Sequence, residues 1–464
     1  MYHRWIASFL AGFRRAGIVD ARGRTAIAAL FVILAIAVAA RSNHGSRPAL
    51  DAAAREYVRL AVGLGERDPD SLDFYAGSAA LVAGVRQNPP SLQSIKRSSD
   101  AAISRLENRE SAPDQQPRRQ RLIRELRALS ARVDVLLGSR PPYDVESQVL
   151  FGIAPGPPAD HRFAEIRARV DALLPGPGRL VDRYAAYDTR FTVPSDRLQT
   201  VFARALAECR RRTLVHVPLP SDEQVTVEFV RNRPWSAYSR YLGGARSVVS
   251  VNVDFRFTAD RLLQVACHEG YPGHHVRNTL MDAWAAARGG LEEYTIRPLF
   301  SPQALIAEGS AMYAVDVAFS DDDRVRFERE QLFRAAGITG EDAGRYVRVA
   351  RLVEELQDVQ VEIVRQYLDG ALEFARAAAA LEEQALMRDT GAMLKYVNEF
   401  RSYVTAYTTG RQAAAAFVES CAGSADRDRR WTCFERLLTA DSDDSGYSRA
   451  AKSIGGRAIG FPSR

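Results

Sequence analysis

"ACHEGYPGHHVR", residues 266–277, places three of the chain's seven histidines within eight residues, beside a glutamate and around a Pro-Gly pair. The preceding segment begins with Thr258, a residue type that caps helix N-termini, and continues with apolar residues at helical spacing. We therefore expect His268 and Glu269 to lie on a helix. In the HExxH pattern of zinc hydrolases, two histidines four positions apart bind one metal and the glutamate is aimed at the metal's water. Here Pro272 occupies the place of the second histidine.

Proline supplies a way for a later histidine to reach the metal. Pro272 has no amide to donate within the helix, so the helix must kink or bulge, and Gly273 lets the distorted backbone pass. A bulge of two residues would bring His274 to the position of the missing ligand. His275 is the alternative ligand, although on a straight helix it lies about 10.5 Å further along; otherwise we expect it to turn outward or to contact a ligand or the substrate. A polar helix end without a metal is the competing interpretation.

Glu308, in "ALIAEGSAMYAVD" (residues 304–316), is the best candidate for a third ligand. Its small neighbours Ala307, Gly309 and Ser310 would let its helix approach the first helix closely. Cys267 precedes His268 but is not expected to be a ligand, because on a helix its side chain points about 100° away from that of its neighbour.

The composition describes a globular protein with no nucleic-acid surface. The chain has 464 residues, 46% hydrophobic and 26% charged, with a net charge of +6 and no basic run interleaved with aromatic residues. Strand patterns occur only at 225–231 and 246–255, just before the histidine cluster. We expect a mainly α-helical (α+β) fold with a small sheet beside the active helix. The expected divisions are an N-terminal basic and apolar segment at 1–47, a helical region at 48–178 and a catalytic helical domain at 179–464.

Residues 25–40, "TAIAALFVILAIAVAA", form an uncharged apolar run that follows several arginines. This pattern is typical of a transmembrane anchor or a cleaved signal peptide, and its length leaves both open. The positive-inside rule then places the rest of the chain outside the cytoplasm, on the periplasmic side of the inner membrane. In that compartment Cys421 and Cys433 would form a disulfide, with a pair of buried thiols as the alternative.

With both motifs considered, the chain resembles the bacterial DUF885 family. The resemblance rests on "HEGYPGHH" (268–275) and "EGSAMY" (308–313) and extends over roughly residues 200–440. It implies a mostly helical, distant relative of the gluzincin zinc metallopeptidases, with His268, His274 and Glu308 as metal ligands and Glu269 as the general base. The chain departs from the family at Ser310, where a tryptophan is usual, and in the loosened block "YTTGRQ" (407–412).

The predicted chemistry is zinc-dependent hydrolysis of an amide bond, with a peptide as substrate and partner. Tyr403 and Tyr407, four residues apart, are candidates to hydrogen-bond the oxyanion, and Arg401 or Arg411 to receive a substrate carboxylate. The strand at 246–255 would pair its edge with an extended peptide. Two alternatives remain: hydrolysis of a non-peptide amide, and an inactive membrane-anchored binding or scaffold protein. The sequence leaves the oligomeric state open.

Overall fold

The computed structural model describes residues 47–156, 160–233, 235–288, 290–423, 426–440 and 445–454. Over these residues the protein is mainly helical, as predicted, and it has two small sheets where the sequence predicted one. None of the described helices combines the length and the apolar character that crossing a membrane requires. The apolar segment at 25–40, predicted to be an anchor or signal, lies outside the described residues.

The helices and strands are numbered here in chain order. They are α1 (47–65), β1 (Leu72–Tyr75), α2 (Ala79–Gln87), α3 (Leu92–Glu107), α4 (Gln116–Leu136), α5 (Tyr143–Phe151), α6 (Asp160–Leu173), α7 (Leu180–Thr189), α8 (Leu198–His216), β2 (Gln224–Val230), β3 (Ala237–Gly243), β4 (Arg246–Asn252), α9 (Ala259–Val265), α10 (His274–Ala287), β5 (Ile296–Pro298), α11 (Pro302–Ala318), α12 (Asp321–Phe327), α13 (Phe333–Ala336), α14 (Ala343–Leu356), α15 (Gln360–Leu368), α16 (Phe374–Ala385), α17 (Thr390–Phe400), α18 (Val404–Ala422), α19 (Arg427–Leu438) and α20 (Ser445–Ile454).

The described chain has two main hydrophobic cores and a minor third cluster around Tyr143. The smaller of the two main cores is formed by apolar residues between Leu50 and Val133, together with Ile296, and the larger one takes in most of the remainder. Several residues that the sequence assigned to the N-terminal region pack in the larger core: Leu150, Phe151, Ile153, Phe163, Ile166, Val170 and Leu174. The pairing of β1 with β5 joins the smaller core to the later part of the chain. The assignment of residues 179–464 as a separate catalytic domain stays a prediction.

The three-stranded sheet has the order β2-β4-β3, with β2 parallel and β3 antiparallel to β4. The strands predicted at 225–231 and 246–255 are therefore confirmed as β2 and β4, with small shifts at their ends. The sequence did not indicate β3, because a polar residue, Ser239, points inward at its centre. The expectation that residues 246–255 bind a peptide by their edge is wrong: β4 is the central strand, and its hydrogen bonds are taken on both sides.

Two disulfides use all four cysteines. Cys209 of α8 is bonded to Cys267, with Cα atoms 5.7 Å apart, and Cys421 to Cys433, with Cα atoms 5.9 Å apart. The sequence separations of 58 and 12 residues correspond to about 4 and about 3 kcal/mol of stabilisation if loop entropy alone is counted. The Cys267 sulfur is thereby occupied, in agreement with the expectation that it is not a metal ligand.

Helices α11 and α18 cross at a contact between two glycines. A Cβ atom added to Gly309 would lie 2.3 Å from the carbonyl oxygen of Gly410, and one added to Gly410 would lie 2.7 Å from the carbonyl oxygen of Leu305. Only glycine fits at either position, because the neighbouring atoms belong to backbone. The small residues around Glu308 thus serve an approach to α18, whereas the sequence suggested an approach to the first helix.

We predict that Gly309→Ala lowers the free energy of unfolding by about 1–3 kcal/mol, since overpacking against backbone cannot be relieved by a side-chain rotation. Gly391→Ala, in α17, is the matched control because nothing lies within 4 Å of its added Cβ; it should leave stability unchanged or raise it slightly. Urea unfolding followed by circular dichroism measures both. Equal stability of the two variants would contradict the proposed helix contact.

Candidate metal centre

The histidine cluster lies where one helix ends and another begins. The Thr258 hydroxyl caps α9 by accepting the amide of Arg261 at 3.3 Å, as the sequence predicts. The chain continues as a π-helical turn, Ala266–Gly270, leaves helical geometry at residues 271–273, and starts α10 at His274. The sequence predicted one bulged helix; the structure has two helices joined by a turn, in which the Tyr271–Pro272 peptide is cis.

Gly273 makes this turn possible. Its amide donates to the carbonyl oxygen of Cys267 at 2.9 Å. A Cβ atom at this position would lie 1.9 Å from the carbonyl oxygen of His268, so no other residue fits without moving the turn. The close passage of the backbone folds His274 back onto the π-helical turn.

The structure brings His268, His274 and Glu308 together. The Nε2 atoms of the two histidines are 3.1 Å apart, and Oε2 of Glu308 lies 3.4 Å from the first and 3.5 Å from the second. Their side chains are 15%, 17% and 12% exposed. Three potential ligand atoms therefore converge from the π-helical turn, the start of α10 and the middle of α11.

These distances fit a zinc ion. In a tetrahedral site with zinc–ligand bonds of about 2.0–2.1 Å, two ligand atoms are separated by about 3.3–3.4 Å. The observed separations of 3.1–3.5 Å are close to that value. Oε2 of Glu308 is also buried without a hydrogen-bond donor, which is costly for a carboxylate unless a cation lies beside it.

The electrostatics of the cluster favour a cation among the three groups. Burial would raise the pKa of Glu308, but the positive charges of His274 and His268 close to its Oε2 hold it well below its usual range. Burial would likewise lower the pKa of His274, but the carboxylate of Glu308 raises it to about 9. Either a proton or a metal ion satisfies this demand for positive charge.

Glu269 has the position expected of a base. One of its carboxylate oxygens and the ring nitrogens of His268 and His274 all lie within 4.8 Å of one another. It is 7% exposed and lies on the wall of a cleft of about 490 Å³ that also contains His268. Glu308 approaches the histidine nitrogens to 3.4 and 3.5 Å and is therefore the better placed of the two carboxylates to share a cation with them, while Glu269 lies beside the cluster.

His275 lies away from this cluster. It is fully buried, and its two ring nitrogens contact Ser247 Oγ at 2.8 Å and Glu223 Oε2 at 3.0 Å. Neither nitrogen is directed at the cleft, because both already have polar partners. The structure thus places this candidate substrate contact, and alternative ligand, in a structural role.

Glu223 holds the turn from both sides. Besides His275, it accepts the hydroxyl of Tyr271 at 2.5 Å and the Nε of Arg210, on α8, at 2.7 Å. Burial opposes its charge, but these three hydrogen bonds lower the pKa of Glu223 to about 2. The residues it binds flank the Pro272–His274 segment, so the carboxylate fixes both ends of the turn that presents His274.

The two candidate tyrosines have different surroundings. Tyr403 is 2% exposed and donates its hydroxyl proton to Oε1 of Glu308 at 2.8 Å. A phenol has one proton to donate, so Tyr403 orients the ligand and has none left for an oxyanion. Tyr407 is half-buried on the cleft wall, 6.4 Å from His268 between ring centroids, and its hydroxyl lies 3.3 Å from that of Tyr396. Tyr407 faces the cleft.

Both candidate arginines are engaged in ion pairs. Arg401 is 6% exposed and pairs with Glu146 at 2.5 Å. Arg411 pairs with Asp316 at 2.9 Å and with Glu354 at 3.4 Å. Their charges are already compensated, and the structure does not leave either guanidinium free for a substrate carboxylate.

Asp73 is a neighbour of the cluster that the sequence did not reveal. This residue of β1 accepts the hydroxyl of Tyr238 at 2.6 Å and interacts electrostatically with His274, Glu308 and Glu269. Burial is the main influence and raises the pKa of Asp73 to about 6, against the lowering effect of the Tyr238 hydrogen bond. Asp73 lies about 200 positions before the histidine motif. A single sequence therefore gives no indication that this aspartate lies near the cluster.

No family model matches the chain, and no curated protein matches it. A solved structure of a protein from Shewanella oneidensis, described provisionally as a lipoprotein and of unknown function, is similar with a TM-score of 0.40 and 11% identity. The match covers 78% of this chain and 76% of that one. A likeness at this level carries no argument about function, and the resemblance to the DUF885 family stays a prediction.

We predict that Glu223→Ala weakens zinc binding by about tenfold. This is in the range found for residues that orient metal ligands without binding the metal themselves. Glu228→Ala is the control: this carboxylate accepts the Ser250 hydroxyl on the neighbouring strand and makes no contact with the turn. Competition with a chromophoric chelator measures the affinity. Unchanged affinity in a folded Glu223→Ala protein would show that the turn does not depend on this carboxylate.

Proposed function

We propose that the protein is a zinc-dependent hydrolase that cleaves amide bonds in peptides. The observation that carries the proposal is the convergence of His268 Nε2, His274 Nε2 and Glu308 Oε2 at 3.1–3.5 Å, with the Glu308 oxygen buried and without a hydrogen bond. Glu269 beside the open side of this cluster favours catalysis, since a purely structural metal site has no use for a base. When bound, zinc polarises a carbonyl group and acidifies water.

The chain's own residues would carry the proton and hold the substrate. Glu269 would accept the proton of the attacking water and deliver it to the leaving nitrogen. Tyr407, which faces the cleft, would donate a hydrogen bond to the oxyanion, while Tyr403 keeps Glu308 in place through its 2.8 Å hydrogen bond. The cleft of about 490 Å³ is in the size range of ligand pockets.

We place the protein outside the cytoplasm, on the periplasmic side of the inner membrane. The sequence support is the apolar run at 25–40 behind several arginines. The second support is that all four cysteines lie in disulfides, which persist in oxidising compartments.

Elemental analysis of the purified protein tests the metal site. We expect about one zinc per chain in the unaltered protein. Glu308→Ala should bind zinc about 100-fold or more weakly, because removing a metal ligand weakens binding more than removing a residue that only orients a ligand. Glu382→Ala, at an exposed position of α16, is the control. If the protein binds no zinc when the metal is supplied, the histidine cluster is a polar helix end. That result would favour the scaffold alternative.

Glu269→Gln separates an enzyme from a metal-binding scaffold. The variant should keep its zinc, because Glu269 is not among the three closest ligand atoms, and kcat/KM on a quenched fluorescent peptide library should fall by about 100- to 10,000-fold. Glu382→Gln should match the unaltered protein. Turnover that persists in Glu269→Gln would show that Glu269 is not the base. Turnover of non-peptide amides alone would show that peptides are not the substrate.

A further inference from the structure

The cleft beside the metal cluster is lined by groups of opposite charge. Its lining includes His268, Glu269 and Tyr407 and also three arginines, Arg256, Arg261 and Arg388. Arg256 is compensated, because it pairs with Asp188 at 2.6 Å. Arg261 and Arg388 are exposed, and among the residues that the structure describes neither one lies in an ion pair.

Arg261 is placed by the same helix that leads to the metal cluster. It lies seven residues before His268, which on a helix corresponds to about two turns and about 10 Å along the axis. That distance equals about three residues of an extended peptide. Its guanidinium contacts only a neutral group in the described structure, Oε1 of Gln264 at 3.3 Å.

Arg388 is placed by a strained turn between α16 and α17. The turn runs from Leu386 to Asp389, and both of these residues have left-handed backbone angles, with φ of 51° and 54°. Such angles are unfavourable for residues other than glycine, and they cluster at functional sites. The buried Leu386 side chain anchors the turn, and Arg388 donates to the carbonyl oxygen of Ala185 at 3.1 Å.

The charges that line the cleft are only partly balanced by ion pairs. Asp188 pairs with Arg256, Asp260 with Arg324 and Glu354 with Arg411. Asp188 also interacts electrostatically with Arg388, but among the described residues no carboxylate forms an ion pair with Arg261 or Arg388. An extended substrate with a negative charge away from its scissile bond complements these two guanidinium groups.

We propose that Arg261 and Arg388 form a subsite for a substrate carboxylate about three residues from the scissile bond. Guanidinium groups bind carboxylates through paired, charge-assisted hydrogen bonds, and two of them in the lining of one cleft would fix the register of the peptide. The carboxylate comes either from the C-terminus of the peptide or from an aspartate or glutamate side chain. The proposal rests on the proposed function in taking a peptide as the substrate.

Peptide binding to the Glu269→Gln protein with zinc supplied tests this subsite without requiring turnover. The probes are N-acetylated alanine hexapeptides in four forms: free acid or C-terminal amide, each with and without one glutamate, which is moved along the chain. Calorimetry should show that the amide without glutamate binds at least tenfold more weakly than the best charged form. The doubly substituted Arg261→Ala, Arg388→Ala protein should lose that difference, and the two lysine replacements should restore part of it.

Arg376→Ala, an exposed arginine of α16 outside the cleft, is the matched control and should bind every probe as the parent does. A preference for the free acid assigns the C-terminal carboxylate, and a preference for glutamate amides assigns the side chain. Equal binding of charged and neutral probes, no binding of any charged probe, or an equal loss in Arg376→Ala would overturn the subsite. Charge-dependent binding without hydrolysis by the protein that retains Glu269 would instead overturn the proposed function and leave the subsite standing.

Discussion

The turn at residues 271–273 is the constraint on which the rest of the site depends. A continuous helix would carry His274 about 120° away from His268 around its axis, whereas the observed turn brings their Nε2 atoms to 3.1 Å. The turn is held at both ends from α8: the disulfide of Cys209 fixes the residue before His268, and Arg210 supports Glu223, which binds the residues on either side of the turn. Cys209 and Arg210, adjacent residues of α8, thus hold the segments that carry His268 and His274.

The second requirement is a buried carboxylate that stays charged. Glu308 lies next to Gly309, where α11 and α18 touch backbone to backbone. This approach is close enough for Tyr403, at the start of α18, to reach Oε1 of Glu308, and it leaves Oε2 to face the two histidines. The helix crossing therefore determines how deeply Glu308 lies. It also determines that Oε1 contacts Tyr403 while Oε2 faces the two histidines. A side chain at either glycine would disturb the ligand as well as the packing.

The sequence predicted what is local in the chain and missed what is assembled from a distance. The Thr258 cap, a distortion of the helix at Pro272 and the pairing of His268 with His274 over His275 follow from residue types within a few turns, although the distortion was predicted as a bulge and is a turn between two helices. Glu223 and Asp73 reach the site through tertiary packing, which leaves no mark in a single sequence. The same limit applied to Arg401: a basic residue near the site suggested a free charge, but its partner Glu146 comes from a helix more than 250 positions earlier.

The N-terminal region contributes directly to the surroundings of the site, although its sequence is generic. Strand β1 pairs with β5, which immediately precedes α11, the helix that carries Glu308. On the same strand, Asp73 accepts the hydroxyl of Tyr238 from β3 and adds a third carboxylate to the surroundings of Glu269 and Glu308. One zinc ion would supply two positive charges against these three acids. The cluster would then keep a negative balance, and part of that balance comes from a residue about 200 positions before the histidine motif.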